Sequence, residues 1–198
     1  MRAHWMLLEL GLDYESYPIQ SRTGETLAAE FMRLNPRHKI PVFRHNEFLL
    51  TESAAIVQYL SETFADPNRL YLPRDGQRRA ELNEWCYFIM TELDAGSLYV
   101  VRGHEGLAPI YGDAAAAVAS AKAYFLHKLQ AMAPRIERAR YLFGEHISVA
   151  DILLTTCLDW AILSGIVLPK SAVDYQQRIT QRSAYRAALK CNFAPSRN

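Results

Sequence analysis

Apolar and polar positions change their rhythm twice along this chain. Trp5, Leu7, Leu8 and Leu10 predict a short helix that Gly11 terminates. Residues 14–19, Tyr-Glu-Ser-Tyr-Pro-Ile, roughly alternate and predict a strand. Pro18 brings no N–H to a ladder, which puts that strand at a sheet edge. Residues 25–34 predict a second helix, ended by Asn35-Pro36. Residues 41–44 and 47–50, joined by a turn at His45-Asn46, predict a β-hairpin. Thr51 is then expected to cap a helix in which Ala54, Ala55, Val57, Tyr59 and Leu60 lie among polar positions.

After Pro73 the strand signals stop. Residues 77–101 predict one long helix carrying Trp85, Phe88, Ile89, Leu93 and Tyr99. Residues 114–132 predict an Ala-rich helix with Asp113 as its N-cap. Ser148-Val149-Ala150-Asp151 has the spacing of a capping box, and Ile147 and Ile152 stand at hydrophobic-staple positions. The run from Ile152 to Ile162 has few polar positions, so that helix is expected to be central and buried. A last helix is expected over residues 183–190. The organisation read from these patterns is a mixed α/β unit over residues 1–66, a linker over 67–73 and an all-helical domain over 74–198.

Composition narrows the function classes. Of 198 residues, 22 are Lys or Arg and 21 are Asp or Glu, so no concentrated positive face for nucleic acid is expected. No segment approaches the roughly 20 consecutive apolar residues of a membrane span. Cys86, Cys157 and Cys191 are far apart and odd in number, which points to a reducing cytoplasm rather than a disulfide framework. Cys86 and Cys157 read as small core residues. The six His show no metal-ligand spacing, and no metal site is assigned.

Two segments carry candidate chemistry. In Asn35-Pro36-Arg37-His38-Lys39-Ile40-Pro41-Val42, a cis bond at Ile40-Pro41 would turn the Ile40 backbone towards a peptide ligand, which could pair with it as an added strand. Lys39 could meet a ligand carboxylate. Equally, Pro41 could merely bend a strand start, with His38 and Lys39 solvated. In Thr51-Glu52-Ser53-Ala54-Ala55-Ile56, Ser53 and the first-turn N–H groups could receive a carboxylate, and Glu52 an ammonium group. Taken alone, that segment reads more simply as an ordinary helix cap.

Together the two segments closely resemble the glutathione-binding half of the cytosolic glutathione transferase family, bacterial type. The resemblance extends through Trp85 and Thr91-Glu92-Leu93 to the Ser148/Asp151 cap and the ending Arg178-x-x-x-Arg182-Ser183-Ala184-Tyr185. It implies a thioredoxin-like first domain and a helical second domain. It also implies that Ile40, ahead of a cis Pro41, holds the cysteinyl part of glutathione. Glu52 and Ser53 would hold the γ-glutamyl end, and Lys39 would lie near the glycyl carboxylate. Asp151 would be structural. The implied activity is conjugation of the glutathione thiolate to a small hydrophobic electrophile, by a cytoplasmic homodimer active in detoxification, with Phe64 and Tyr87 as exposed apolar candidates for its interface.

By the same resemblance, Arg2-Ala3-His4-Trp5 belongs to the family's first helix. The preceding strand, and the loop with a thiol-contacting Tyr, Ser or Cys, would fall before Met1. A late start of the sequence is the explanation expected here, and no catalytic residue is assigned. Among the residues present, His4 is the nearest substitute and more simply a packing residue. Tyr14 is poorly placed, and Tyr99 could line an acceptor pocket. The alternatives are a glutathione-dependent isomerase, dehalogenase or thiol reductase, and a non-catalytic binding protein on the same fold.

Overall fold

The computed structural model of the protein describes residues 1–20 and 23–192, and the end of the expected helical domain, residues 193–198, lies outside them. The chain divides into two compact units, the first holding residues up to Ala65 and the second running from Asp66 to Arg182.

The first unit is built on α1 (Arg2–Leu10), α2 (Ala29–Leu34), the strands β1 (Val42–His45) and β2 (Phe48–Thr51), and α3 (Ser53–Phe64). Gly11 ends α1 as expected, in the left-handed conformation (φ 68°), with its N–H bonded to the Leu7 and Leu8 carbonyls. Trp5, Met6 and Leu7 point α1 into the core, where it packs against α3. The last helix also packs on α1, through Trp5 against Tyr185, and therefore belongs to this unit rather than to the helical domain predicted for residues 74–198.

Several local expectations need correction. Residues 14–19 form no strand: the sheet has the two strands β1 and β2, and Pro18 contributes no ladder donor. A strand signal without a neighbour to pair with stays irregular. The helix expected over 25–34 breaks at Ala28, which is extended (φ −66°, ψ 143°) between a single 3₁₀ turn, Glu25–Leu27, and α2. The hairpin turn is Asn46-Glu47, one residue later than expected. His45 pairs with Phe48, and Asn46 takes the positive φ (54°) that a two-residue turn needs. Thr51 ends β2 instead of capping α3, whose N-cap position is Glu52.

The second unit is helical. It contains α4 (Gly76–Phe88), α5 (Tyr99–Val101), α6 (Ala108–Tyr111), α7 (Ala115–Gln130), α8 (Ala133–Arg138), α9 (Val149–Leu163) and α10 (Lys170–Thr180), while α11 (Ser183–Asn192) is the closing helix on the first unit. The long helix predicted over 77–101 is interrupted. Residues Ile89–Leu98 and Arg102–Gly106 are wound more loosely, as π-helix. Ser97 Oγ donates to the Glu92 carbonyl at 2.8 Å, five residues back. A Cβ at Gly96 would come within 2.9 Å of the Thr91 carbonyl oxygen, so glycine is the residue this winding admits. The cap of α7 is also corrected: the N-cap position is Ala114, not Asp113, and no side chain bonds there.

The core of the unit is α9. Ile152, Leu153, Leu154, Cys157, Leu158 and Ala161 are all fully buried, as the apolar run predicts. At about 1.5–3 kcal/mol for each large side chain removed from water, this helix supplies much of the unit's hydrophobic stabilisation. Its capping box forms as expected. Burial pushes the Cys86 thiol up to about 12, which leaves it an inert core residue. Among the described residues, no helix is long and apolar enough to cross a membrane.

Candidate functional site

One end of the hairpin gathers the two candidate segments. Val42 pairs with Thr51 at the end of the ladder, so Pro41 and Glu52 flank the same backbone pair. The register of a short hairpin thus does what residues ten or more apart in sequence could not do by themselves.

The approach to Pro41 is held by Asn35, which is buried at the C-cap of α2. Its amide nitrogen donates to the Lys39 carbonyl at 2.7 Å, and its amide oxygen accepts the Arg37 N–H at 3.1 Å. The His38 N–H closes the turn onto the Asn35 carbonyl at 3.0 Å. His38 takes a left-handed backbone (φ 56°), and its Nδ1 lies 3.1 Å from the Thr26 carbonyl. A carbonyl can only accept, so Nδ1 carries the proton. His38 therefore ties the loop down through one ring nitrogen while the residue stays exposed. Lys39 is exposed, Ile40 is half-exposed, and the Ile40–Pro41 peptide is cis.

Across the ladder, α3 starts without a side-chain cap. Glu52, at the N-cap position, has φ 67° and ψ 117°, a conformation rarely tolerated by a residue with a Cβ. The ordinary-cap reading of this segment is thus not what the backbone adopts. The first-turn N–H groups receive no capping side chain, and the helix dipole adds partial positive charge at the same place. Arg2 brings a full charge, with Nη1 donating to Ser53 Oγ at 3.2 Å. Arg37 reaches Glu52 Oε1 at 3.3 Å through Nη1 and Thr51 Oγ1 at 2.5 Å through Nη2. The Arg37 and Glu52 side chains are each 60% exposed, so their ion pair contributes little to stability and is easily exchanged for a ligand's charges.

The geometry offers an exposed Ile40 ahead of a cis proline, cations at Arg2, Arg37 and Lys39, one carboxylate at Glu52, and an open helix N-terminus. That combination suits a small peptide with more than one carboxylate and one ammonium group. Sequence reasoning missed Asn35, Arg37 and Arg2. Arg37 meets partners 14 and 15 residues away, and Arg2 meets one 51 residues away, so no local spacing signals either.

His4, Tyr14 and Tyr99, the candidate substitutes for thiol activation, each have a local partner. His4 Nδ1 is bonded to the Tyr14 hydroxyl at 2.9 Å, and burial lowers the His4 pKa, which favours the neutral ring. Burial and the neighbouring Cys191 thiol push Tyr14 up to about 12. Tyr99, in the other unit, packs its ring edge-on to Trp160 at 5.2 Å.

Residues 1–62 match the family model described as the glutathione S-transferase N-terminal domain. Glutathione S-transferase D6 of Drosophila melanogaster is 31% identical over 149 residues, which are 73% of this chain and 64% of that protein. The chain belongs to the glutathione transferase family. Glutathione S-transferase D7 of the same organism is 41% identical over 90 residues, 46% of this chain and 38% of that protein. The matches thus span less than two thirds of either fly relative. A crystal structure of a glutathione transferase from Methylococcus capsulatus superposes with a TM-score of 0.80 at 29% identity, covering 96% of this chain and 92% of that one. This member of the family accordingly has a thioredoxin-like N-terminal domain with a small two-stranded sheet, followed by a mostly helical part.

Proposed function

We propose that this chain binds glutathione at the hairpin end and conjugates its thiolate to small hydrophobic electrophiles. The observation that carries the reading is the Val42–Thr51 pair, which sets the cis Ile40–Pro41 bond beside the uncapped start of α3. In this reading the Ile40 backbone pairs with the cysteinyl residue. Ser53, the first-turn N–H groups and Glu52 hold the γ-glutamyl carboxylate and ammonium, and Lys39 faces the glycyl carboxylate. Binding of this kind positions the sulfur for attack. The thiolate displaces a leaving group such as chloride from an electrophilic carbon: the carbon–sulfur bond forms as the carbon–chlorine bond breaks, and the thiol proton goes to solvent.

Titration calorimetry with glutathione tests the site. Ser53→Ala and Glu52→Gln are each expected to weaken binding roughly tenfold, the range for a lost hydrogen bond to a charged group. An activated aryl chloride, followed by chloride release, tests the chemistry. Failure of the unsubstituted chain to bind glutathione sinks the proposal, whereas binding without chloride release favours the non-catalytic reading. We further place the protein in the cytoplasm, in detoxification, as a homodimer. Phe64 is 37% exposed and Tyr87 60% exposed, as surfaces awaiting a partner would be. Sedimentation equilibrium is expected to give twice the mass of one chain, and a monomer at micromolar concentration would count against the dimer.

A further inference from the structure

In the helical unit, segments distant in sequence close on a cavity of about 340 Å³. Two backbone bridges and one arginine side chain fix its walls. Leu70 and Ile147 form a parallel bridge, with the Tyr71 N–H bonded to the Ile147 carbonyl at 2.8 Å. Tyr141 and Gly144 exchange N–H···O=C bonds of 3.0 and 3.1 Å across a tight turn, where Gly144 takes φ 109°. Arg178, on α10, braces the segment that leads into this turn, donating to the carbonyls of Ile136, Ala139 and Arg140 at 3.2–3.3 Å.

What these devices collect is mostly cationic. Arg69, Arg140 and Arg182 line the cavity with Glu145 and His146, over a floor that includes the buried Tyr141. The guanidinium carbons of Arg140 and Arg182 lie 5.5 and 5.4 Å from the Tyr141 ring centroid, and Arg182 also donates to the Tyr141 hydroxyl. Stacking on one ring orders both forks before any ligand arrives, which lowers the entropy cost of binding. Arg69 and Arg140 are exposed and have no ion-pair partner among the described residues. In a chain whose formal net charge is +1, three guanidiniums against one carboxylate in a single cavity is a local excess.

We propose that this cavity binds a phosphate dianion, either free or as the phosphomonoester of a small molecule. Planar guanidinium forks match phosphate oxygens in pairs. Three such forks less Glu145 leave two positive charges, which a phosphomonoester at about −1.5 to −2 near neutral pH neutralises and a single carboxylate does not. The volume falls at the small end of ligand pockets, room for a phosphate with a short organic group. The site uses residues of the helical unit alone and does not depend on glutathione binding at the hairpin.

Calorimetry at low ionic strength, with inorganic phosphate and glycerol phosphate as separate probes and acetate as the control anion, tests the assignment. Both phosphates are expected to bind saturably and acetate not to. Arg69→Ala and Arg140→Ala are each expected to weaken binding roughly tenfold, and the double variant to abolish it. Both residues are exposed, so an unchanged melting temperature and unchanged glutathione titration confirm that the variants fold. Tighter binding of glycerol phosphate assigns the site to an organic ester, and the reverse order to free phosphate. Absence of saturable binding, equal binding of acetate, or undiminished binding in the double variant overturns the proposal.

Discussion

Replacing Asp151 by Ala is expected to cost about 4 kcal/mol of the helical unit's stability, measured as the loss in thermal or urea unfolding. The carboxylate is fully buried and is the acceptor for four donors. Oδ2 accepts the Ser148 N–H at 2.8 Å and the Ser148 hydroxyl at 2.6 Å, while Oδ1 accepts the Leu142 N–H at 2.8 Å and the Tyr175 hydroxyl at 2.5 Å. Burial pushes the Asp151 pKa up, and these donors offset only part of the rise. The two hydroxyls can rotate towards other acceptors once the carboxylate is gone. The two backbone N–H groups cannot, and each unsatisfied buried donor costs about 1–3 kcal/mol. The N-cap itself stays, because the Ser148 hydroxyl accepts the backbone N–H of residue 151 whatever its side chain, so the cost comes from those two donors. Asp151→Asn retains one acceptor oxygen but turns an NH₂ towards two donors, so its cost is expected to be intermediate. Tyr175→Phe, which removes a single donor, is expected to cost least of the three. A cost below about 2 kcal/mol for Asp151→Ala would falsify this account, because two unsatisfied buried N–H groups at about 1 kcal/mol each already reach that value.

The same residue shows why part of this protein is legible in its sequence. Ser148 and Asp151 are three apart, and their reciprocal bonds need nothing beyond one helical turn. The cis Ile40–Pro41 bond and the hairpin are local in the same sense, and the hairpin differs from expectation by one residue. Where an element depends on distant partners, the sequence is silent or misleading. The alternation at residues 14–19 is a genuine strand pattern, but a strand exists through its neighbour. No element is predicted at α10 because its buried positions, Ala172, Tyr175 and Ile179, form a narrow stripe in an otherwise polar helix. The π-helical stretch after α4 carries ordinary helical residues, and its loose winding becomes visible through the contact that excludes a side chain at Gly96.

At the candidate site the division is the same. Glu52, Ser53, Lys39 and Ile40 stand in recognisable local segments, and the structure brings those segments to one ladder end. Arg37 and Arg2 add charge that no spacing rule announces. A side chain as long as arginine can reach across a hairpin or between helices, so its partner is chosen by tertiary position. Charge in the Arg69, Arg140 and Arg182 cavity is hidden in the sequence for the same reason: its members are spread over more than a hundred residues and meet through two isolated backbone bridges.

Position in the fold also decides what Trp5 does. Replacing it by Ala is expected to cost the first unit about 3–5 kcal/mol, the range for truncating a buried aromatic. Trp5 is fully buried, and its ring meets Tyr185 edge-on, with centroids 5.0 Å apart and planes at 78°. Its indole N–H donates to Glu9 Oε2 at 3.2 Å, one turn along α1, which fixes the ring's direction. The Tyr185 contact joins α1 to α11, two helices at opposite ends of the chain, and the packing of α1 against α3 links them to the candidate site. Besides a lowered unfolding free energy, Trp5→Ala should therefore accelerate amide hydrogen exchange in α11, because the helix loses the aromatic partner that seats Tyr185. Trp5→Phe keeps an edge-on ring of smaller size and is expected to recover part of both effects. Glutathione affinity should weaken in Trp5→Ala, since α1 also carries Arg2 to Ser53. Unchanged exchange in α11 would show that the closing helix is held by something other than this pair of rings, and Arg2 would then owe its position to the α1–α3 contact alone.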